Sequence, residues 1–321
     1  MKRKLIFICA IVFAVALLIG GTYGALILLQ PFQRDNIVGY GDNISLLNRD
    51  ISPMQLREDG SFTVLQFTDT HLVHARGRDA RTLRMIEYHT ARLQPDLVVI
   101  TGDVIEGRAA QAHLLVDRRA ALQGLVGIFA RLEQPWVFLH GNNDHDNFLG
   151  TGDDIAAFLA VHCENIMIAQ QAGLPGSVNF TLPLLDRYGE IAHQLMMLDS
   201  LGRFDTMQPE QADWLAAQLQ DDAHASVFMH YPTQLFARAG LSNFPRPFDD
   251  AMDELFVHPN VGLVSVGHTH PEENRRIEYG GTMLQIVRAS GYRRGDRYPG
   301  GVLITITPGA EEIYEFYDFA F

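Results

Sequence analysis

Residues 62–162 carry one pattern three times: a short apolar run of strand-forming composition, then a stretch with apolar residues at helical spacing. The runs are "FTVLQF" at 62–67, "PDLVVI" at 95–100 and "PWVFLH" at 135–140. The helical stretches are 78–93, 117–132 and 152–162, the last with Asp153 or Asp154 near its start. Two parallel strands cannot be joined by a tight turn, and a helix of this length supplies the crossover they need. The repeat therefore predicts βαβ units with right-handed connections. Past residue 190 strands dominate: "HQLMMLDS", "ASVFMHYP", "VGLVSVGHTH", "TMLQIVRAS", "GVLITITP" and "EEIYEFYDF". One helix interrupts them at 209–220, opening on Pro209 where a missing N–H costs nothing. The expected product is an α/β fold of two sheets with helices outside.

The strand ends share a second property, which is that they finish in metal-competent residues. The first is followed by Asp69 and His71, the second by Asp103 and the third by Asn142. Later come His230 after "SVFM" and His268 with His270 after "VSVG". A single Asp or His after a strand is most often a turn or cap residue. Five such groups at C-terminal strand ends carry more weight, since open α/β sheets place their sites at that edge. Carboxylate, amide and imidazole donors without thiolate suit Mn, Fe or Zn in a paired centre with a bridging carboxylate. An extended backbone would put His268 and His270 on one side, and likewise Asp69 and His71.

The N-terminus makes a separate demand. "MKRK" precedes about 25 residues without a charge, where a membrane span needs roughly 20. A signal-peptide core is shorter, about 7–15 residues, so an uncleaved single-pass anchor over 1–30 is expected. Lys2, Arg3 and Lys4 would stay cytoplasmic, leaving the rest of the chain on the outer (periplasmic or extracellular) side. Residues 31–60, rich in Asn, Asp, Gly and Ser, read as a juxtamembrane linker, with the folded domain spanning 61–321. A net charge of −13 over 321 residues argues against a nucleic-acid surface. The two cysteines, Cys9 and Cys163, form no disulfide framework.

The motifs "DTH" at 69–71, "GD" at 102–103, "GNND" at 141–144, "MHYP" at 229–232 and "GHTH" at 267–270 together resemble the calcineurin-like metallophosphoesterase family. They occur in the family's order over about residues 62–307. "DLVVITGDVI", "LPGSVNFTLPL" and the Tyr292 region look most like the purple-acid-phosphatase-related branch that includes yeast and plant proteins. The resemblance implies a four-layer α/β/β/α sandwich of two mixed sheets, following the transmembrane helix. It implies a metal-dependent phosphoric ester hydrolase acting on a monoester or diester through a hydroxide bridging two divalent ions. Asp69, His71 and His270 would hold one ion, Asn142, His230 and His268 the other, and Asp103 both. Purple acid phosphatases proper have a metal-binding tyrosine three residues after the bridging aspartate; Glu106 stands there.

One position departs from the family. Asn143 occupies the place of a histidine that assists the leaving group, and an amide cannot deliver a proton near neutral pH. Three readings stay open. His145, two residues on, takes over as acid. The metals act alone on an activated ester. Or the chain is a catalytically weak metal-binding relative, a phospho-ligand sensor or adaptor. Asp144 is expected to orient the loop. His140 is expected to point into or beside its strand, and Asp199 to serve a turn. His89, His193 and His224 read as solvated.

Overall fold

The computed structural model describes residues 37, 39–107, 117–145, 151–202, 205–219, 223–242, 250–292, 298–309 and 312–320. The expected membrane anchor at 1–30 lies outside them. Among the described residues, no helix is long and apolar enough to cross a membrane.

The strands are β1 (Met54–Gln55), β2 (Phe62–Phe67), β3 (Leu97–Thr101), β4 (Trp136–Leu139), β5 (Phe180–Leu185), β6 (Ile191–Met197), β7 (His224–Phe228), β8 (Val261–Val266), β9 (Arg275–Tyr279), β10 (Thr282–Ile286), β11 (Gly300–Thr307) and β12 (Ile313–Ala320). The helices are α1 (Arg78–Leu93), α2 (Arg118–Arg131), α3 (Asn142–His145), α4 (Gly152–His162), α5 (Pro209–Gln218), α6 (Gln234–Arg238) and α7 (Asp250–Phe256). One sheet has the order β12-β11-β2-β3-β4 and the other β1-β5-β6-β7-β8-β10-β9. Both are mixed. β2, β3 and β4 pair in parallel, as the βαβ pattern requires, while β11 runs antiparallel to β2. In the larger sheet β6, β7, β8 and β10 are parallel, flanked by antiparallel β5 and β9.

β2 and β3 are buried along their whole length, so they read as continuous apolar runs rather than alternating ones. Apolar residues of both sheets, Val64 and Ile304 from one and Leu195, Phe228 and Leu263 from the other, meet in one core. The opposite face of the larger sheet, with Val227 and Val264, packs under α5, α6 and α7. A buried polar string crosses between the sheets. Ser265 Oγ donates to Gln66 Oε1 at 2.6 Å, Gln285 Nε2 donates to Ser265 Oγ at 2.7 Å, and Gln66 Nε2 donates to Thr101 Oγ1 at 3.0 Å. Mutually satisfied donors and acceptors of this kind hold one registration of the sheets, because any slip leaves buried polar atoms unpaired.

The described part of 31–60 is not a linker. Tyr40–Leu47 forms a 3-10 helix, Ile37 and Leu47 are fully buried, and β1 pairs with β5. Asp154, in the first turn of α4, accepts from Gly39 N at 3.0 Å and Gly41 N at 2.8 Å. The polar composition of the segment reflects these turns, not solvation of the whole. The α4 helix is capped by Thr151, which forms a reciprocal box with Asp154.

Candidate metal centre

Each expected ligand stands two to four residues past a parallel strand: Asp69 and His71 after β2, Asp103 after β3, Asn142 after β4, His230 after β7, His268 and His270 after β8. The mixed sheets thus bring their C-terminal edges together over one point. The backbone there is unusual. Asp69 (φ 51°), His71 (46°), Asp103 (51°), His268 (70°) and His270 (48°) are all left-handed. Non-glycine residues rarely adopt this region, and such strain concentrates at functional sites. The expectation of extended backbone at 69–71 and 268–270 fails for this reason. The two rings of His268 and His270 divide between two groups instead of sharing a side.

The loops also approach very closely. Gly102 has φ +85°, and a Cβ on it would lie 2.6 Å from Gly141 N. A Cβ on Gly141 would strike Asp103 N and Oδ1. Only glycine permits this packing at both positions.

Two sets of donor atoms result, each within 4.8 Å: Asp69, His71 and His270, and Asp103, His230 and His268. His71 Nε2 lies 3.1 Å from His270 Nε2, and His230 Nε2 lies 3.3 Å from His268 Nδ1. Asp69 Oδ1 faces His270 at 3.1 Å and His71 at 3.7 Å, while Oδ2 accepts from Thr68 Oγ1 and His268 N. Asp103 straddles the sets. Its Oδ2 is 3.7 Å from His71 Nε2, and its Oδ1 is 3.4 Å from His230 Nε2.

Divalent metals fit these residues. His230 Nδ1 donates to the Thr101 carbonyl at 2.8 Å, which leaves the lone pair of the neutral ring on Nε2, facing inward. Glu106 lies 3.7 Å from His71 Nδ1, near the ring but beyond hydrogen-bond distance. Asn142 is buried, and its Oδ1 has no hydrogen-bond partner, as expected of an oxygen reserved for a cation. Burial would raise the carboxyls of Asp69 and Asp103, but the surrounding histidines hold both well below the usual range. Burial would lower His230, and Asp103 raises it to about 9. Burial and the charge on His230 press His268 down to about 3.

The three other expected residues fall differently. Asn143 turns inward, donating its backbone N to Asp103 Oδ1 at 2.7 Å and its side-chain amide to Asp103 Oδ2. Asp144 accepts from Gly141, Val104 and Ile105 and ties the Asn142 loop to the Asp103 loop. His145 is 2.8 Å from Asp199, a residue read from sequence as a turn former. Asp199 is fully buried, and nothing local in "LDS" distinguishes it from a turn. His193 and His89 are buried as well, not solvated. His193 is paired with Glu312, and His89 is stacked on Phe319 at 3.9 Å between ring centroids.

An α/β protein of two mixed sheets, with carboxylate and imidazole donors at their joined C-terminal edges, is a candidate divalent-metal protein. The sequence profile of the Calcineurin-like phosphoesterase family matches residues 62–272, and the chain belongs to that family. The probable inactive purple acid phosphatase 28 of Arabidopsis thaliana is 29% identical over 111 residues, 30% of this chain and 27% of that protein. An uncharacterized protein of Schizosaccharomyces pombe is 22% identical over 216 residues, 60% of this chain and 39% of that protein. The chain thus spans well under half the length of these curated relatives. Among solved structures, a dimetal phosphatase from Danio rerio superposes with a TM-score of 0.55 at 15% identity, covering 81% of this chain and 98% of that one. GAP50, the anchor in the inner membrane complex of Plasmodium, gives 0.50 at 10% identity, covering 80% and 84%. Identities this low show a shared fold.

Proposed function

We propose that the chain is a phosphoric ester hydrolase working with two divalent metal ions. Asp69, His71 and His270 would hold one, and Asn142, His230 and His268 the other. The observation that carries the reading is Asp103, whose two carboxylate oxygens each face a histidine of a different set. Bound metals would neutralise charge developing on a phosphoryl group and make water a stronger nucleophile. The chain's part is to aim the donors: the Thr101 carbonyl orients His230, and Asp144 locks the two loops together. The leaving-group side lacks the usual acid, because Asn143 is an amide already donating to Asp103. Esters with stable leaving groups, such as aryl phosphates, are therefore the favoured substrates. Residues 1–30 are proposed to anchor the domain outside the cytoplasmic membrane, on the charge-free length of that run. In this reading the fold is the four-layer α/β/β/α sandwich of the family.

The test compares hydrolysis of an aryl phosphate monoester and diester with Mn²⁺, in wild type and Asp103→Asn. Metal-dependent turnover abolished by Asp103→Asn supports the reading. Turnover that survives chelation sinks it. Asn143 favours one rival, a phospho-ligand sensor that binds metals without turnover, and the plant relative named as probable inactive is in keeping with it. Metal uptake with no hydrolysis in the wild type, and hydrolysis appearing in Asn143→His, would decide for the sensor.

A further inference from the structure

We propose that His140, His145 and Asp199 form a third divalent-cation site of zinc type, separate from the paired centre and open to its own cavity. Their donor atoms all lie within 4.8 Å of one another. His140 is fully buried, and its Nε2 lies 2.8 Å from the Gly152 carbonyl, which can only accept. The neutral ring therefore carries its lone pair on Nδ1. That atom faces Asp199 Oδ2 at 3.2 Å, a contact that a neutral ring of this tautomer cannot make as a hydrogen bond. Two donors about 2.0 Å from a tetrahedral zinc lie roughly 3.3 Å apart, so this spacing suits a shared ion. His145 Nε2 closes the set at 2.8 Å from Asp199 Oδ1.

The surroundings are built for a fixed carboxylate. Asp199 Oδ2 accepts from Ser177 N at 3.0 Å, and Oδ1 accepts from Leu201 N at 2.9 Å. Gly176 has φ +84°, and a Cβ there would come within 2.6 Å of Asp199 Oδ2. A Cβ on Gly152 would meet His145 Nδ1 at 2.8 Å. Outer hydrogen bonds that fix ligand orientation are a regular part of metal sites. His145 is 18% exposed and borders a cavity of about 520 Å³ shared with Asp153, Gly176, Asp205 and Gln208. A fourth ligand, water or an oxygen group, would reach the ion from that space, as in open zinc sites.

A bare ion pair is the simpler alternative. Burial would lower His145, but Asp199 raises it to about 9, so a protonated ring can balance the carboxylate. That arrangement turns the Nδ1 lone pair of a neutral His140 onto an anionic oxygen, and a protonated His140 would instead set two cationic rings on one carboxylate. A cation satisfies both rings and the carboxylate together.

The experiment strips the full-length chain of metal, dialyses it against Zn²⁺ and measures zinc per chain in wild type, His145→Gln, Asp199→Asn and Asp103→Asn. His145→Gln alters a partly exposed side chain, and its near-UV circular dichroism checks that the fold persists. Three zinc ions in wild type, with one lost in both His145→Gln and Asp199→Asn, is the expected result. An unchanged count in His145→Gln overturns the proposal and leaves the paired centre untouched. A count that falls in His145→Gln but not in Asp103→Asn keeps this site and overturns the two-metal reading above.

Discussion

Asp144→Ala removes one acceptor from three buried backbone donors at once. Oδ2 accepts from Gly141 N at 2.9 Å and Val104 N at 3.2 Å, and Oδ1 accepts from Ile105 N at 2.9 Å. The side chain has no exposed surface, so bulk water does not replace it. Each stranded donor costs about 1–3 kcal/mol, or about 3–9 kcal/mol for the three. Two effects reduce that figure. Burial and the adjacent Asp103 charge push the Asp144 carboxyl above its usual range, so deleting it relieves some repulsion and desolvation. A water entering the vacated space restores about one bond. One effect adds to it: burial lowers the Arg118 guanidinium to about 10, against the charges of Asp144 and Asp154, and the deletion removes the first of these. The net cost is about 3 kcal/mol, a large part of the 5–15 kcal/mol that holds a typical domain folded. Asp144→Asn keeps one oxygen for Gly141 and Val104 but turns its NH₂ against Ile105 N–H, for a loss of about 1–2 kcal/mol. Urea unfolding of the metal-free protein measures both, and calorimetric Mn²⁺ binding should weaken about 10–100-fold in the alanine variant. An alanine variant within 1 kcal/mol of wild type, or an asparagine variant as damaged as the alanine one, would refute the accounting.

Gly141→Ala drives a Cβ into Asp103, and should abolish metal uptake at the paired centre, measured as metal per chain. Asn143→His should raise the rate for alkyl esters at least about 10-fold more than for aryl esters, since an acid matters most for poor leaving groups; equal gains would count against the assignment. Asp154→Ala removes the α4 capping box and the acceptor for Gly39 and Gly41, costing about 2 kcal/mol and speeding amide exchange at both glycines. Glu312 has its carboxyl held below the ordinary value of 4.5, burial being outweighed by His193. Its stabilisation is present above that pH and lost as pH falls through the folded value, so Glu312→Gln should flatten the acid limb of a stability–pH curve.

Much of the framework was legible because its signals are local. The periodicity of "RDARTLRMIEYHTARL" matches α1 residue for residue, and "GDDIAAFLAVH" matches α4. The seven candidate ligands could be picked out for the same reason, since each lies a few residues past a strand whose apolar run announces it. What escaped notice lacks a local signal. β5 carries Pro183 and β9 is an exposed edge strand, so neither shows a buried-strand pattern. The 3-10 helix and β1 look like linker until Asp154 and β5 supply their partners.

The sequence by itself determined which residues could bind metal, the order in which strands present them, and the family to which the chain belongs. Those properties depend on residue type and on spacings of a few positions. Only the tertiary structure decided that Asp103 lies between two histidine sets, that Asn143 turns onto Asp103, and that Asp199 joins His140 and His145 across more than 50 residues. It also decided the left-handed backbone at five of the seven candidate ligands. The physical reason is that burial, charge pairing and backbone strain are set by what packs against a residue. A carboxylate destined for a turn and one destined for a buried histidine pair are identical until the sheets close.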